Sequence, residues 1–206
     1  MEDTWDEYII EGTDTLKNKL GITDKDKLSE LEKEKILPKL TYLHINPIFS
    51  GCDSDHLKNI HNFLFEDIYE WAGKYRTCTL RKNMYNFLEP ELIEEELEKV
   101  IERYNNEINK VKTPDEYAFV LAPFYYDLIR IHPFREGNGR SIREFIREVV
   151  LEKNAVLPFD VELDYTKIDK NNLLMGTMNR YFYPSLIETE FLKGLIPLEK
   201  EKMTGK

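Results

Sequence analysis

The run His132-Pro133-Phe134-Arg135-Glu136-Gly137-Asn138-Gly139-Arg140-Ser141-Ile142-Arg143 concentrates groups suited to phosphate chemistry. A histidine can take a proton, a carboxylate can hold a hard cation, and arginines can clamp anionic oxygens. Glycines on either side of Asn138 let backbone N–H groups approach an anion with no side chain between. An apolar pattern of Ile142, Phe145, Ile146, Val149 and Val150 begins just after Gly139, so an anion there would meet the positive end of a helix. At about 100° per residue, Arg140, Arg143 and Arg147 fall along one edge of that helix, beside its buried face. The residues alone leave an alternative open. His132 could simply cap the preceding helix, and Glu136 could simply pair Arg140.

The elements that would hold this loop are legible on both sides of it. Thr113-Pro114-Asp115-Glu116 reads as an N-cap, a proline at the first helical position and acids in the first turn. The helix it opens runs to about Ile131, is apolar nearly all round, and should bend at Pro123. The helix after the loop ends near Leu157-Pro158-Phe159. The loop therefore joins the two most apolar helices of the chain, a setting that holds reactive groups rigidly.

Earlier in the chain, a short helix is expected from about Thr13 to Gly21, then a charged helical segment from Thr23 to Leu43 that Pro38 should kink or divide. Asp53 and Ser54 can cap a helix running to about Trp71, with Leu57, Ile60, Leu64, Ile68 and Trp71 inward. His56 and His61 lie on it, about 140° apart, which is poor geometry for a shared metal ion. Past Gly73, residues Thr77 to Leu80 and Tyr85 to Leu88 favour extended backbone, with Lys82-Asn83 as the turn, giving either a β-hairpin or a plain loop. An acidic amphipathic helix follows from Glu89-Pro90 to about Asn106. Two more helices are expected over Asp164 to Phe182 and Pro184 to Leu195, with Leu173, Leu174, Met178, Phe182, Leu186, Ile187, Phe191, Leu192 and Leu195 as their buried side.

Composition bounds the possibilities. At 206 residues with 41% hydrophobic and 33% charged, the chain fits one soluble domain with much exposed helix surface. We read residues 1–206 as a single domain, with a core over about 45–195, a helical extension over about 6–44 and a charged tail at 199–206. A net charge of −10 argues against direct nucleic-acid binding. Two lone cysteines, Cys52 and Cys78, suit a reducing compartment. The acidic stretch Met1–Glu7 is no secretory signal, and no run approaches membrane-spanning length. The expected location is a bacterial cytoplasm, with no membrane contact, although secretion into a host cell by an uncleaved signal stays open.

The twelve-residue run resembles the signature of Fic-domain proteins, in which a histidine, a spacer with phenylalanine, an acidic residue, Gly-Asn-Gly-Arg and a further arginine recur. Every motif position is matched, and Asp67-Ile68-Tyr69-Glu70-Trp71-Ala72-Gly73 is similar to the segment before the active-site flap of that family. The resemblance covers roughly residues 6–195. It implies an all-α Fic fold, a helical bundle around a central helix-loop-helix, with one small β-hairpin flap that holds the target segment in an extended register. It implies transfer of AMP from ATP to a Tyr, Thr or Ser hydroxyl of a target protein, releasing pyrophosphate. His132 would be the general base; an imidazole titrates at about 6.5. Glu136 would bind Mg²⁺. Backbone N–H groups around Gly137, Asn138 and Gly139, with the Asn138 amide, would bind the α-phosphate. Arg140 and Arg143 would hold the β- and γ-phosphates, and Lys82 and Asn83 on the flap turn complete the nucleotide-binding set. Phe134 is expected as the buried anchor of the loop.

Two alternatives stand beside this reading: a phosphotransferase of the same fold, which in the family carries lysine where this chain has Gly139, and a catalytically silent nucleotide-binding or interaction module. Many family members inhibit themselves through a helix with Ser or Thr, three residues, then Glu. No Ser or Thr in this chain has Glu at that spacing. The expected partners are therefore the target protein and a separate small antitoxin acting in trans.

Overall fold

The computed structural model describes residues 7–82 and 85–198, with Lys82 and Tyr85 described in their backbone only. Seven α-helices account for most of these residues, with two small antiparallel sheets beside them. They are α1 (Lys25–Ile45), α2 (Ser54–Phe65), α3 (Ile93–Ile108), α4 (Pro114–Ile131), α5 (Asn138–Lys153), α6 (Lys170–Met178) and α7 (Leu186–Gly194). Helix α4 is the hub: it packs on α3, α5 and α7, while α2 covers α5 and α1 lies against α2. Tyr117, Leu121, Leu128, Phe134, Ile142, Phe145, Ile146 and Val149 are wholly buried where α4 and α5 meet their neighbours.

The caps read from sequence are in place. Thr113 Oγ1 accepts the Glu116 N–H at 3.2 Å, and Asp53 Oδ1 accepts that of His56 at 2.7 Å. Helix α4 continues through Pro123, and α1 continues through Pro38 as one 21-residue helix, so Pro38 does not divide it.

Three helix expectations fail locally, and one sheet was not expected. Residues 13–21 form no helix. Side chains there bond their own backbone: Thr13 to Ile10 O, and Asn18 to Leu16 O, Ile22 O and the N–H groups of Leu20 and Ile22, which competes with helical pairing. Helix α2 ends at Phe65, not near Trp71, because the chain folds back until Gly73, at φ +75°, lies against Asn62. The helix expected over 164–182 shrinks to a 3₁₀ turn at Tyr165–Lys167 and α6. A second sheet was not foreseen: β3 (Val161–Leu163) pairs with β4 (Leu195–Pro197), setting Leu163 opposite Leu195.

The hairpin exists in short form. β1 (Arg81–Lys82) pairs with β2 (Tyr85–Asn86), Arg81 opposite Asn86, and the Phe87 N–H extends the ladder to Leu80 O at 3.1 Å. The strands are shifted from those expected. Residues 77–79 form no strand, and Cys78 O is taken by the Arg76 guanidinium. Asn83 lies outside the described residues. Leu174, Met178, Phe182 and Leu192, expected inside, are exposed.

Candidate active site

His132 ends α4 in the left-handed conformation, φ 50° and ψ 62°. Such a backbone costs a non-glycine residue about 1–2 kcal/mol, so neighbouring bonds must hold it. Its Nδ1 lies 3.1 Å from Ile129 O. A carbonyl oxygen can only accept, so Nδ1 carries the proton, and the neutral ring keeps its lone pair on Nε2. The Phe87 ring, just past the hairpin, stacks on the imidazole at 3.9 Å. That is the tautomer a general base needs.

The loop between α4 and α5 closes on itself through Asn138. Its Oδ1 accepts the Phe134 N–H at 2.8 Å and its Nδ2 donates to Phe134 O at 2.6 Å. The Asn138 amide, expected to meet a phosphate, is thus spent on loop closure and buried with it. Gly137 precedes α5 at φ +81°, and a Cβ there would come within 2.2 Å of Phe65 Cζ. Only glycine fits. Helix α5 then starts at Asn138, where the first N–H groups have no acceptor within the helix, an arrangement suited to an anion.

His61 supports this loop from α2. Its Nδ1 accepts the Gly73 N–H at 2.8 Å, so Nε2 bears the proton and donates to Glu136 O at 3.0 Å. The ring stacks on Phe134 at 3.8 Å. Burial pushes its pKa down to about 4, and the nearby Arg140 adds to the shift, so His61 stays neutral. His56 is equally buried, held between Gly51 O and Glu148 Oε2. Neither histidine is at the surface.

The two motif arginines part company. Arg140 Nη2 lies 2.5 Å from Glu32 Oε1 of α1 and 3.4 Å from Glu136 Oε1, with its guanidinium over the Phe65 ring. Glu32 in turn accepts the Tyr69 hydroxyl at 2.5 Å; burial foremost, then the Glu32 charge, raises the pKa of that tyrosine. Arg143 has no such partner among the described residues. Its Nη1 would sit 3.2 Å from a Cβ on Gly139, so it folds back over the start of α5.

A cavity of about 670 Å³ opens here, a size that suits a nucleotide. Its polar lining is His132, Glu136, Asn138, Gly139 and Arg143, together with Arg135 and Lys170, and its apolar lining includes Ile129, Leu173, Leu174 and Met178. Arg140 does not line it. It lines a neighbouring cleft with Arg147, whose guanidinium is taken by Glu144 and Leu43 O. Glu136 fits a magnesium role in one respect, as a carboxylate at the wall of a polyphosphate-sized cavity, and its Oε1 already accepts the Gly137 N–H at 2.8 Å.

Sequence reasoning missed Glu32, Lys170 and Arg76. Arg76 is 2% exposed and donates to four main-chain carbonyls around the site. Its partners are scattered over residues 78–132, so no local spacing announces them. His61 did carry a signal, since it falls on the same helical stripe as Leu57, Ile60 and Leu64.

Comparison with known proteins agrees with this geometry. Residues 51–149 match the Fic/DOC family model. The protein adenylyltransferase VbhT of Bartonella schoenbuchensis is 30% identical over 179 residues, which are 86% of this chain but 36% of that longer protein. A probable protein adenylyltransferase of Sinorhizobium fredii, y4lH, is 29% identical, covering 79% of this chain and 81% of its own length. The crystal structure of BepC, a VirB-translocated effector of Bartonella tribocorum with bound AMPPNP, superposes with a TM-score of 0.80 at 26% identity, over 94% of this chain and 98% of that one. An ADP-bound Fic domain from Bartonella quintana gives 0.83 at 26% identity, over 93% and 95%. Fold, motif loop and matched span agree: residues 51–149 are a match to the Fic/DOC family, and the chain has the mostly helical Fic fold.

Proposed function

We propose that this chain is a protein adenylyltransferase that moves AMP from ATP to a hydroxyl side chain of a target protein. The observation that carries the reading is the tautomer of His132. Its Nδ1 is tied to Ile129 O, so the proton-accepting nitrogen of the neutral ring is Nε2, and His132 lines the cavity beside Glu136 and Arg143. The target oxygen attacks the α-phosphorus, its proton passes to Nε2, and the bond from the α-phosphorus to the β-bridging oxygen breaks, releasing pyrophosphate. The first N–H groups of α5 stabilise the charge on the α-phosphate, and Arg143 holds the β- and γ-phosphates. The adenine base would rest against the apolar lining of Ile129, Leu173 and Met178. Glu136 would hold Mg²⁺, which neutralises phosphate charge when bound. Arg140, engaged by Glu32, steadies the loop instead of reaching the nucleotide.

The names of the relatives support this chemistry, as do the AMPPNP and ADP bound to two structural neighbours. The modified residue is a Tyr, Thr or Ser positioned in extended form along the hairpin, where strand addition uses main-chain bonds. The same reading takes the protein to act in a bacterial cytoplasm, with secretion into a host cell as the alternative; separately, among the described residues no helix is long and apolar enough to cross a membrane. Inhibition by a separate small antitoxin is part of the same proposal; among the described residues Glu32 pairs with Arg140 and no carboxylate bonds Arg143.

The test is incubation with Mg²⁺, a bacterial lysate and ATP labelled at the α- or the γ-phosphate. Label from the α-position on protein, lost in His132→Ala while AMPPNP still binds, is the expected result. Label from the γ-position alone would mean phosphotransfer, and no label from either would mean a silent module.

A further inference from the structure

Arg76 lies three residues past Gly73, on the stretch that enters the hairpin, and is almost wholly buried. Its guanidinium donates to Cys78 O at 2.7 Å, to Leu88 O, to Ile131 O at 3.1 Å and to His132 O at 2.8 Å, while its backbone N–H donates to Pro133 O at 2.8 Å. Cys78 and Leu88 flank the hairpin on its two sides. Ile131 and His132 close α4. One side chain therefore joins both stems of the hairpin to the residue that would act as base. A planar group with five N–H donors can reach four carbonyls at once, and a lysine ammonium cannot. Two of those carbonyls end α4, so the negative end of the helix offsets the buried charge.

We propose that Arg76 is a positioning residue for group transfer: it sets the hairpin at a fixed offset from His132, so that a hydroxyl presented along the hairpin arrives at Nε2. This rests on the adenylyltransferase reading above. Further contacts tie the same parts together. The Leu88 N–H bonds Arg130 O at 3.4 Å, and the Phe87 ring stacks on the His132 imidazole at 3.9 Å, so a shift of the hairpin is a shift of the ring. Arg76 itself does not line the cavity, whose wall the hairpin residues Arg81 and Phe87 share with Asn138, Gly139 and Arg143 of α5. Its loss therefore acts on placement of the acceptor more than on the phosphate contacts proposed for α5.

The experiment compares Arg76→Lys with the unaltered chain at a temperature where both are folded, reading AMPPNP affinity by calorimetry and the rate of α-label transfer to lysate protein. The expected result is AMPPNP affinity within about twofold and a transfer rate lower by about 30-fold or more, since misplacement near 1 Å costs about that much. The half-saturating lysate concentration should also rise. Wild-type transfer by the folded variant overturns the proposal, and so does an equal loss of AMPPNP binding and transfer. If the unaltered chain transfers no α-label, the adenylyltransferase reading itself has failed. Should the variant not fold, hydrogen exchange on the unaltered chain decides: the amides of Arg76, Phe87, Leu88 and His132 should open together. Exchange of Phe87 and Leu88 more than about 100-fold faster than Arg76 and His132 overturns the coupling.

Discussion

Glu32 Oε1 lies 2.5 Å from Arg140 Nη2, so the first arginine of the motif is paired with the amino-terminal helix instead of lining the cavity at His132. Both side chains are largely removed from water, at 10% and 23% exposure, and Tyr69 adds its hydroxyl to the same carboxylate. Glu32→Gln keeps the shape and removes the charge. It should lower unfolding stability by about 2 kcal/mol, read by urea titration, because a charge-assisted bond is lost and a cation is left behind. AMPPNP affinity should change by less than about threefold. A tenfold gain would instead mean that Glu32 competes with the phosphates for Arg140.

Arg143 should behave in the opposite way. It reaches the cavity over Gly139 and has no carboxylate partner among the described residues, so Arg143→Ala should remove the proposed phosphate contact with little structural cost. The expected loss is tenfold or more in AMPPNP affinity, about 1.4 kcal/mol or more, with stability changed by less than about 0.5 kcal/mol. Equal losses of affinity in Arg140→Ala and Arg143→Ala would contradict the division of labour between them.

His61 ties stability to pH. Its folded pKa is lowered to about 4 by burial, while an unfolded histidine titrates at about 6.5. Between those values the unfolded chain binds the extra proton, so stability rises with pH across the window and falls as the solution is acidified from pH 7 toward pH 4. The contribution is about 3 kcal/mol at full extent. His61→Gln offers a donor and an acceptor without titrating. The drop in unfolding free energy from pH 7 to pH 4 should be smaller in this variant by about that amount, and an identical drop in both proteins would disprove the assignment.

Gly137 and Phe65 test the packing under the loop. A Cβ on Gly137 meets three ring atoms of Phe65 at 2.2, 2.4 and 3.0 Å, on a backbone at φ +81°. Gly137→Ala should cost about 3 kcal/mol from strain and overpacking together. Adding Phe65→Leu should give a double variant at least about 1 kcal/mol more stable than the sum of the two losses, since the ring is the obstacle. Strict additivity in thermal unfolding would exclude that contact.

Much of this site could be read along the chain because its parts are local. The caps Thr113 and Asp53, the apolar stripes of α4 and α5 and the loop between them depend on residues a few positions apart, where helical geometry sets the neighbours. Helix ends at turns such as 66–73 depended on distant partners: His61 accepting from Gly73 has no counterpart in local propensity. The same holds for residues 13–21, where Thr13 and Asn18 redirect the backbone, and for the pairing of β3 with β4 across more than thirty residues.

The sequence by itself determined which groups stand at the loop: a base, a carboxylate, a helix start flanked by glycines and three arginines within twelve residues. Tertiary structure decided what each can do. It spent the Asn138 amide on Phe134, paired Arg140 with Glu32, chose the His132 tautomer through Ile129 O and left Arg143 at the cavity. The physical reason is that spacing along a helix states which residues share an edge, whereas charge and hydrogen bonds are claimed by whatever the fold brings within about 3 Å.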